Sequence, residues 1–515
     1  MNYIVRGKYV LTDSTEEEDG ILKEAAVCIQ GNEIVEIDDY KLLKNKYPDY
    51  EVVGNGKQLL MPGLIDAHSH GSGLTHLQRG LSYDFLENCL IDWAYGIQID
   101  HKLNSKLCAL RHLRKGSTTI HHNDLGNVLA ANAVENAEKK IMGYNETGIR
   151  IIYSQGFRNK NILAYDDKEF YKTLPTELQK VVKDLVFFDK EASVDEYFDF
   201  FDYIYTNFND KENAKIILGP SWIHGSTEEL LNRTKKKADE LGKLPIHIHT
   251  LQTPHQKAYG LKKHGKSLLK YLDDLNLVDE NLVCGHAVFV TDEDIKLLAE
   301  KNASVTHHPS CNFAVRNGIS PVVPMLNNGV NVALGIDNKG INDDEDIFME
   351  MRMIYYLHRV AGFNLAETPV LDEFDILNMA TVNAARVCGL EGEVGKLKPG
   401  MKADMILVDL DEILNQPWSA PEVNIAKFLI TRGKGDHVNT VIVDGDLIVQ
   451  DHEFVNIDVN AIYEEVRAEA EKGLSSEQKE YADKLAKIKP YYHDWYDGWV
   501  EDLDFEPYYM MNSKE

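Results

Sequence analysis

The chain alternates between two kinds of segment. Eight short apolar runs stand at Leu59–Ala67, Ser117–His122, Arg150–Gln155, Lys215–Trp222, Leu244–His249, Asn281–Val288, Ala303–His307 and Asn331–Ile336. Stretches with helical periodicity fill the gaps, among them Asn127–Tyr144, Thr227–Leu241, Lys266–Leu275 and Thr291–Lys301. Parallel strands need crossover connections, and each amphipathic crossover must bury its apolar face on the sheet, so few architectures fit. Thr291, three residues before Asp294, reads as a helix N-cap with an acidic first turn. The expected fold class is α/β, a (β/α)8 TIM-like barrel, with an open doubly wound sheet as the alternative.

The two ends of the chain have a different rhythm. Tyr3–Leu11, Ala25–Ile29 and Glu33–Ile37 read as strands with Gln30-Gly31-Asn32 as a turn, and Asp404–Val408 and Val441–Val449 add more. A small β-sandwich domain built from both ends, 1–60 plus 391–455, is therefore expected beside a barrel at 61–390. The remainder, 456–515, reads as a helical and aromatic extension. Within it 459–489 is a charged helix, followed by Tyr491, Tyr492, Trp495, Tyr496, Trp499, Tyr508 and Tyr509. Those rings suit packing on the barrel or a share in a subunit interface.

The 515 residues carry a net charge of −28, which disfavours nucleic acid or an anionic membrane as partner, since both need a basic face. Cys28, Cys89, Cys108, Cys284, Cys311 and Cys388 are scattered without paired spacing, as in reduced intracellular thiols. The first residues lack a signal peptide's plan, and no apolar run approaches the ~20 residues of a membrane span. A cytoplasmic protein acting on a small-molecule substrate is the expectation.

In a closed barrel of this kind, chemistry sits at the C-terminal strand ends. Those ends read His68/His70, His121/His122, His247/His249, His286, His307/His308 and Asp337. Side chains two apart on a strand share a face, so His68 and His70 point together, as do His247 and His249. Burying that many polar rings at one rim is costly without a ligand to hold. A catalytic zinc or iron(II) site needs three or four such donors and one open position, and the metal lowers a water's pKa to about 7. Asp337 at the rim could both ligate and accept a proton. His286 could ligate, or hydrogen-bond substrate or water.

The motifs Pro62-Gly63-Leu64-Ile65-Asp66-Ala67-His68-Ser69-His70, Gly116-Ser117-Thr118-Thr119, His247-Ile248-His249, Gly285-His286-Ala287 and His307-His308-Pro309-Ser310-Cys311-Asn312 stand in that order. Gly335-Ile336-Asp337, Met379-Ala380-Thr381 and Gly395-Lys396-Leu397-Lys398-Pro399-Gly400-Met401-Lys402-Ala403-Asp404 follow. Over roughly residues 1–450 the chain resembles the amidohydrolase superfamily, closest to its triazine hydrolases and its cytosine, guanine and adenosylhomocysteine deaminases. The resemblance implies one divalent metal, zinc first with iron or manganese as alternatives, on His68, His70, His249 and Asp337. It implies catalytic roles for His286 and Asp337, a pocket lined by His307, Asn312 and the residues after Asp337, and a homo-oligomer. His247 then stands behind His249. The binuclear branches bridge two metals through a lysine at the end of the fourth strand; here Lys215 begins that strand, which favours one metal.

One position departs from the pattern. Those deaminases carry a glutamate three residues after the third metal-binding histidine, and Gln252 stands there. An amide neither donates as an acid nor accepts as a base, so His255, His307 or water would have to supply the proton, with Gln252 orienting the substrate. The expected activity is hydrolysis of a non-peptide C–N bond in a cyclic or heteroaromatic compound. The alternatives are displacement of a halide, thiolate or similar group, and a non-catalytic metal-binding scaffold. Phe157–Phe188 reads as an insertion that could cover the site. Trp93, Trp222, Phe157 and Phe313 are candidates to stack on a flat substrate, and Arg158 and Lys160 to meet an anionic substituent.

Overall fold

The computed structural model of the protein describes residues 2–183, 185, 193–359 and 369–501. All eight expected strands form, and they pair in parallel in chain order. They are β1 (Leu64–Ser69), β2 (Ser117–Asp124), β3 (Arg150–Phe157), β4 (Ala214–Pro220), β5 (Ile246–Thr250), β6 (Leu282–His286), β7 (Ser304–His307) and β8 (Asn331–Leu334). The seam between β8 and β1 closes at its C-terminal rim. Asp337 N–H donates to the His68 carbonyl at 2.7 Å, and His70 N–H donates to the Asp337 carbonyl at 3.0 Å. The barrel is thus shut by the backbone of the residues nominated as ligands, and the open-sheet alternative falls.

The apolar run Leu59–Ala67 is not one strand. Leu59–Pro62 pairs antiparallel with Met405–Val408 in an outer sheet, and the chain enters β1 only after Gly63. There the backbone passes so close to β2 that an added Cβ would lie 2.1 Å from Thr118 Oγ1. A continuous apolar pattern hides this change of sheet, because both halves are buried. The outer sheet also holds Ile21–Lys23, Tyr9–Leu11, Val438–Val443, Asp446–Gln450 and Glu453–Phe454. A second, four-stranded sheet is built from Asn2–Arg6, Ala25–Gln30, Glu33–Asp39 and Glu51–Val53. Val5, Val27, Ile29, Leu60, Met405, Leu407 and Ile442 fill the space between them, so chain ends hundreds of residues apart share one sandwich core.

Local signals are obeyed where they are strong. Thr291 caps the helix Asp292–Glu300 in a reciprocal box with Asp294. The expected single helix 459–489 is two, Val459–Ala470 and Ser476–Val500, broken at Gly473, which adopts φ +65°. The second carries Tyr492, Tyr496 and Trp499 buried against the barrel's own loops. Tyr496 meets Tyr165 at 5.3 Å and Tyr492 meets Phe170 at 5.8 Å, both in the segment after β3. Tyr508 and Tyr509, with 184 and 186–188 of that segment, lie outside the described residues. Among the described residues no helix is long and apolar enough to cross a membrane.

Candidate metal centre

Strand alternation aims His68 and His70 from β1, and His247 and His249 from β5, into the barrel mouth. Each outer ring nitrogen that finds a carbonyl fixes the tautomer. His70 Nδ1 donates to the Asn123 carbonyl at 2.8 Å and His249 Nδ1 to the Ser221 carbonyl at 2.7 Å. Their Nε2 lone pairs are left facing inward, the arrangement metal-binding histidines use. His70 Nε2 lies 3.1 Å and His68 Nε2 3.8 Å from Asp337 Oδ1. Ligand-capable atoms of His68, His70 and His249 lie within 4.8 Å of one another, and so do those of His68, His286, His308 and Asp337.

His286 and Asp337 adopt left-handed backbone, φ +73° and +69°, which non-glycine residues take at a cost. This turns both side chains inward just past their strands. Asn312 Oδ1 accepts from His286 Nδ1 at 2.9 Å, leaving His286 Nε2 facing Asp337 Oδ2 at 3.6 Å. Burial pushes the Asp337 carboxyl up, but the adjacent His70, with His286 and His308, holds it well below the usual carboxylate range. Burial holds His68, His249 and His308 well below the usual imidazole range, so they present neutral, ligand-ready rings. Both nitrogens of His68, Nε2 of His286 and His308, and Oδ1 of Asp337 are buried without a hydrogen-bond partner. So many unpartnered polar atoms in one dry space fit a divalent cation, and an imidazole–carboxylate set suits zinc or iron.

The structure sorts the remaining nominations. His307 does not join the cluster, and His308 does. Thr306 faces inward, 3.3 Å from His247 Nε2, so its neighbour His307 points outward, its ring 5.8 Å from that of His358. His308, two beyond Thr306, stacks on His68 at 4.4 Å. Counting by twos along β7 would have found it. Asn312 braces His286. Trp222 stacks on His249 at 4.9 Å and the Arg158 guanidinium lies 5.0 Å from the centre of the Trp222 ring, so the two form a buttress behind His249. Phe157 is core: it stacks on Tyr197 of an outer helix at 4.9 Å, away from the cluster. Gln252 is buried beside β5, and its Oε1 has no partner. His255 is engaged 3.0 Å from the buried Glu87.

Three polar residues had no assigned role in the sequence. Asp66 accepts from the backbone of His68 at 3.2 Å and of Ile336 at 2.9 Å, and pairs with His112 at 3.0 Å. It ties the first strand to the last just beneath the clustered histidines. His121 is structural, satisfied by the Ala67 carbonyl at 3.0 Å and Ser154 at 2.8 Å. No local signal marks these pairings, whose members are far apart in the chain.

Residues 59–448 match the amidohydrolase family. A 5′-deoxyadenosine deaminase of Methanosphaera stadtmanae is 30% identical over 464 residues, covering 88% of this chain and 96% of that one. A zinc-bound adenosine deaminase from Xanthomonas campestris superposes with a TM-score of 0.75 at 23% identity, covering 91% of this chain and 98% of that one. The zinc complex of atrazine chlorohydrolase from Arthrobacter aurescens TC1 does so with 0.75 at 20% identity, covering 91% and 100%. At these identities the two structures speak for the fold.

Proposed function

The chain belongs to the amidohydrolase family, and from that membership we propose a metal-dependent deaminase that replaces an amino group on a heteroaromatic ring by oxygen, releasing ammonia. The carrying observation is the convergence of His68, His70 and His249 with Asp337 at one barrel mouth: the three histidines offer ring nitrogens within 4.8 Å of one another, and Asp337 Oδ1 lies 3.1 Å from His70 Nε2 and 3.8 Å from His68 Nε2. The similarity to a 5′-deoxyadenosine deaminase supports an adenine nucleoside as the ring carrier. Zinc, one per chain, is the proposed ion, and residues 61–390 carry the chemistry while 1–60 with 391–455 brace the barrel. All six cysteines are buried free thiols, which supports a reducing cytoplasm; a homo-oligomer is part of the same proposal.

When bound, the ion supplies Lewis acidity. Asp337, an ionised carboxylate at the rim, accepts the proton of the attacking water and passes it to the departing amine. His286, braced by Asn312, presents Nε2 to the same space and orients the attacking water. Gln252 holds the ring by a hydrogen bond. Trp222 keeps His249 in place and helps exclude bulk water. The mouth opens beside His70 and Asn338 into a cavity of about 320 Å³, room for a small heterocycle.

The test is metal content with ammonia release from 5′-deoxyadenosine, cytosine and an aminotriazine. About one metal per chain with ammonia is expected. Asp337→Asn should lower turnover at least ~100-fold with an unchanged circular dichroism spectrum. Wild-type protein purified without metal would end the proposal. A second reading has Gln252 in its favour: with no carboxylic acid there, chloride released from a chlorotriazine and no ammonia from any amine would shift the assignment to displacement of an anionic group.

A further inference from the structure

The cavity beside His70 has a wall that the chemistry above does not use. Arg79 lines it together with His76, Trp93, Asp124 and Lys140. Lys140 is matched, its ammonium 2.6 Å from Asp124 Oδ2. Arg79 is not: its Nε donates to the Ile97 carbonyl at 3.0 Å, and among the described residues no carboxylate pairs with the guanidinium. Next to it His76 is 1% exposed, with neither ring nitrogen partnered. The indole nitrogen of Trp93 is also buried and unpartnered, the two rings 5.9 Å apart. Polar groups left dry and unpaired in this way are costly unless something completes them.

We infer that this wall is a subsite for an acidic substituent of the substrate, a carboxylate or phosphate, clamped by Arg79 and hydrogen-bonded by His76 and Trp93. The inference rests on the proposal that the cavity receives an aminated heterocycle, and names what else that molecule carries. A planar guanidinium without a carboxylate partner matches the paired oxygens of such groups. Ring N–H donors beside it satisfy the oxygens that remain, and the indole face shields the site. Burial, with Arg79 and Lys339 nearby, holds the His76 imidazole down at about 4, so at neutral pH it faces the acid as a neutral hydrogen-bonding ring. The chain as a whole carries −28, so a cation in the cavity wall with no carboxylate beside it is where an acidic ligand gains most. Arg158, which the sequence offered for this task, is spent on Trp222 and on the Ile162 carbonyl at 3.0 Å.

Two measurements on the metal-loaded full chain test it. First, ammonia release is compared for 5′-deoxyadenosine, adenosine 5′-monophosphate and adenosine 5′-carboxylic acid. At least one acid should have the lower KM, and Arg79→Gln should raise that KM about 10- to 100-fold while 5′-deoxyadenosine changes little. Equal loss on all three, or none on the acids, overturns the subsite. Second, succinate and inorganic phosphate are titrated separately against Trp93 fluorescence, with Trp93→Phe as the blank and Arg79→Gln as the comparison. Saturable quenching by one of them, weakened about tenfold or more in Arg79→Gln, supports the subsite and says which acid it prefers. No quenching, or quenching indifferent to Arg79, overturns it. The second measurement does not need turnover: quenching without any deamination would leave the subsite and remove the deaminase, and the reverse would do the opposite.

Discussion

Two neighbouring histidines divide their roles by a single step along a strand. His308 lies within ligand distance of His68, His286 and Asp337, whereas His307 faces the helices. His308→Gln should therefore weaken metal retention about 10- to 100-fold, the usual loss when a group beside a metal is removed. His307→Gln should leave it nearly unchanged; dialysis against a graded chelator followed by metal analysis separates them. Glu350 gives a prediction in pH. Its carboxyl is buried, and burial pushes it up to about 8, while Ser310 N–H donates to it at 3.1 Å and so anchors the turn bearing His308 and Asn312. Unfolding returns it to an ordinary carboxyl near 4.5. The folded form keeps a proton that the unfolded form releases, so this group's contribution to stability is complete below ~4.5 and is lost as pH rises to about 8. Glu350→Gln cannot titrate and should gain on the wild type between pH 5 and pH 8, read as a widening gap in urea midpoints. A constant gap would show that Glu350 stays ionised in the fold.

At the scale of elements, the junction between sandwich and barrel is the critical turn. Leu59–Pro62 and β1 are one apolar run divided between two sheets, and Gly63 makes the crossing against Thr118. Gly63→Ala puts a methyl group inside that contact and should cost about 1–3 kcal/mol. Thr118→Ala removes the atoms it meets first and should restore part of the loss; a double variant no better than Gly63→Ala would place the strain elsewhere. The long helix Ser476–Val500 plays the complementary part on the other rim. Its indole Trp499 donates to the His255 carbonyl at 3.1 Å, and Tyr496 packs edge-on to His255 at 5.0 Å. It roofs the loop that follows β5 and carries Gln252, which ties the extension to the site without placing any of it among the ligands.

Across the whole molecule, one buried ion pair joins the barrel to the sandwich. Arg150 opens β3 and grips Asp404 with two nitrogens, at 2.9 and 3.0 Å, where the outer sheet begins. Both side chains are nearly inaccessible, 7% and 2% exposed. Removing one partner strands a buried charge, so Arg150→Ala should cost about 3–5 kcal/mol in urea unfolding. Arg150→Met with Asp404→Leu should cost less than either single change. Should Arg150→Ala prove nearly neutral, this clamp would contribute little to joining the two layers. Asp404 ends the Gly400–Asp404 motif, and this clamp is the physical reason for a carboxylate at that place in the chain.

Much of the protein was legible in its sequence. The order of strands and helices follows from short-range periodicity, and the cap at Thr291 follows from residues three apart. That His68, His70, His249, His286 and Asp337 come close together follows from strand ends that converge in such a barrel by construction. Tertiary structure alone decided the rest. It split the first apolar run at Gly63, since burial looks the same in either sheet. It brought His308 rather than His307 into the cluster, stationed Phe157 in the core, and set Trp222 against His249 and Asn312 against His286. It joined Asp66 to His112, Arg150 to Asp404, and left Arg79 without a carboxylate partner among the described residues. Local pattern records only what neighbours along the chain require. Partnerships between distant side chains, and the absence of one, are settled when the barrel closes and each polar group must be paired, hydrated or left for a ligand.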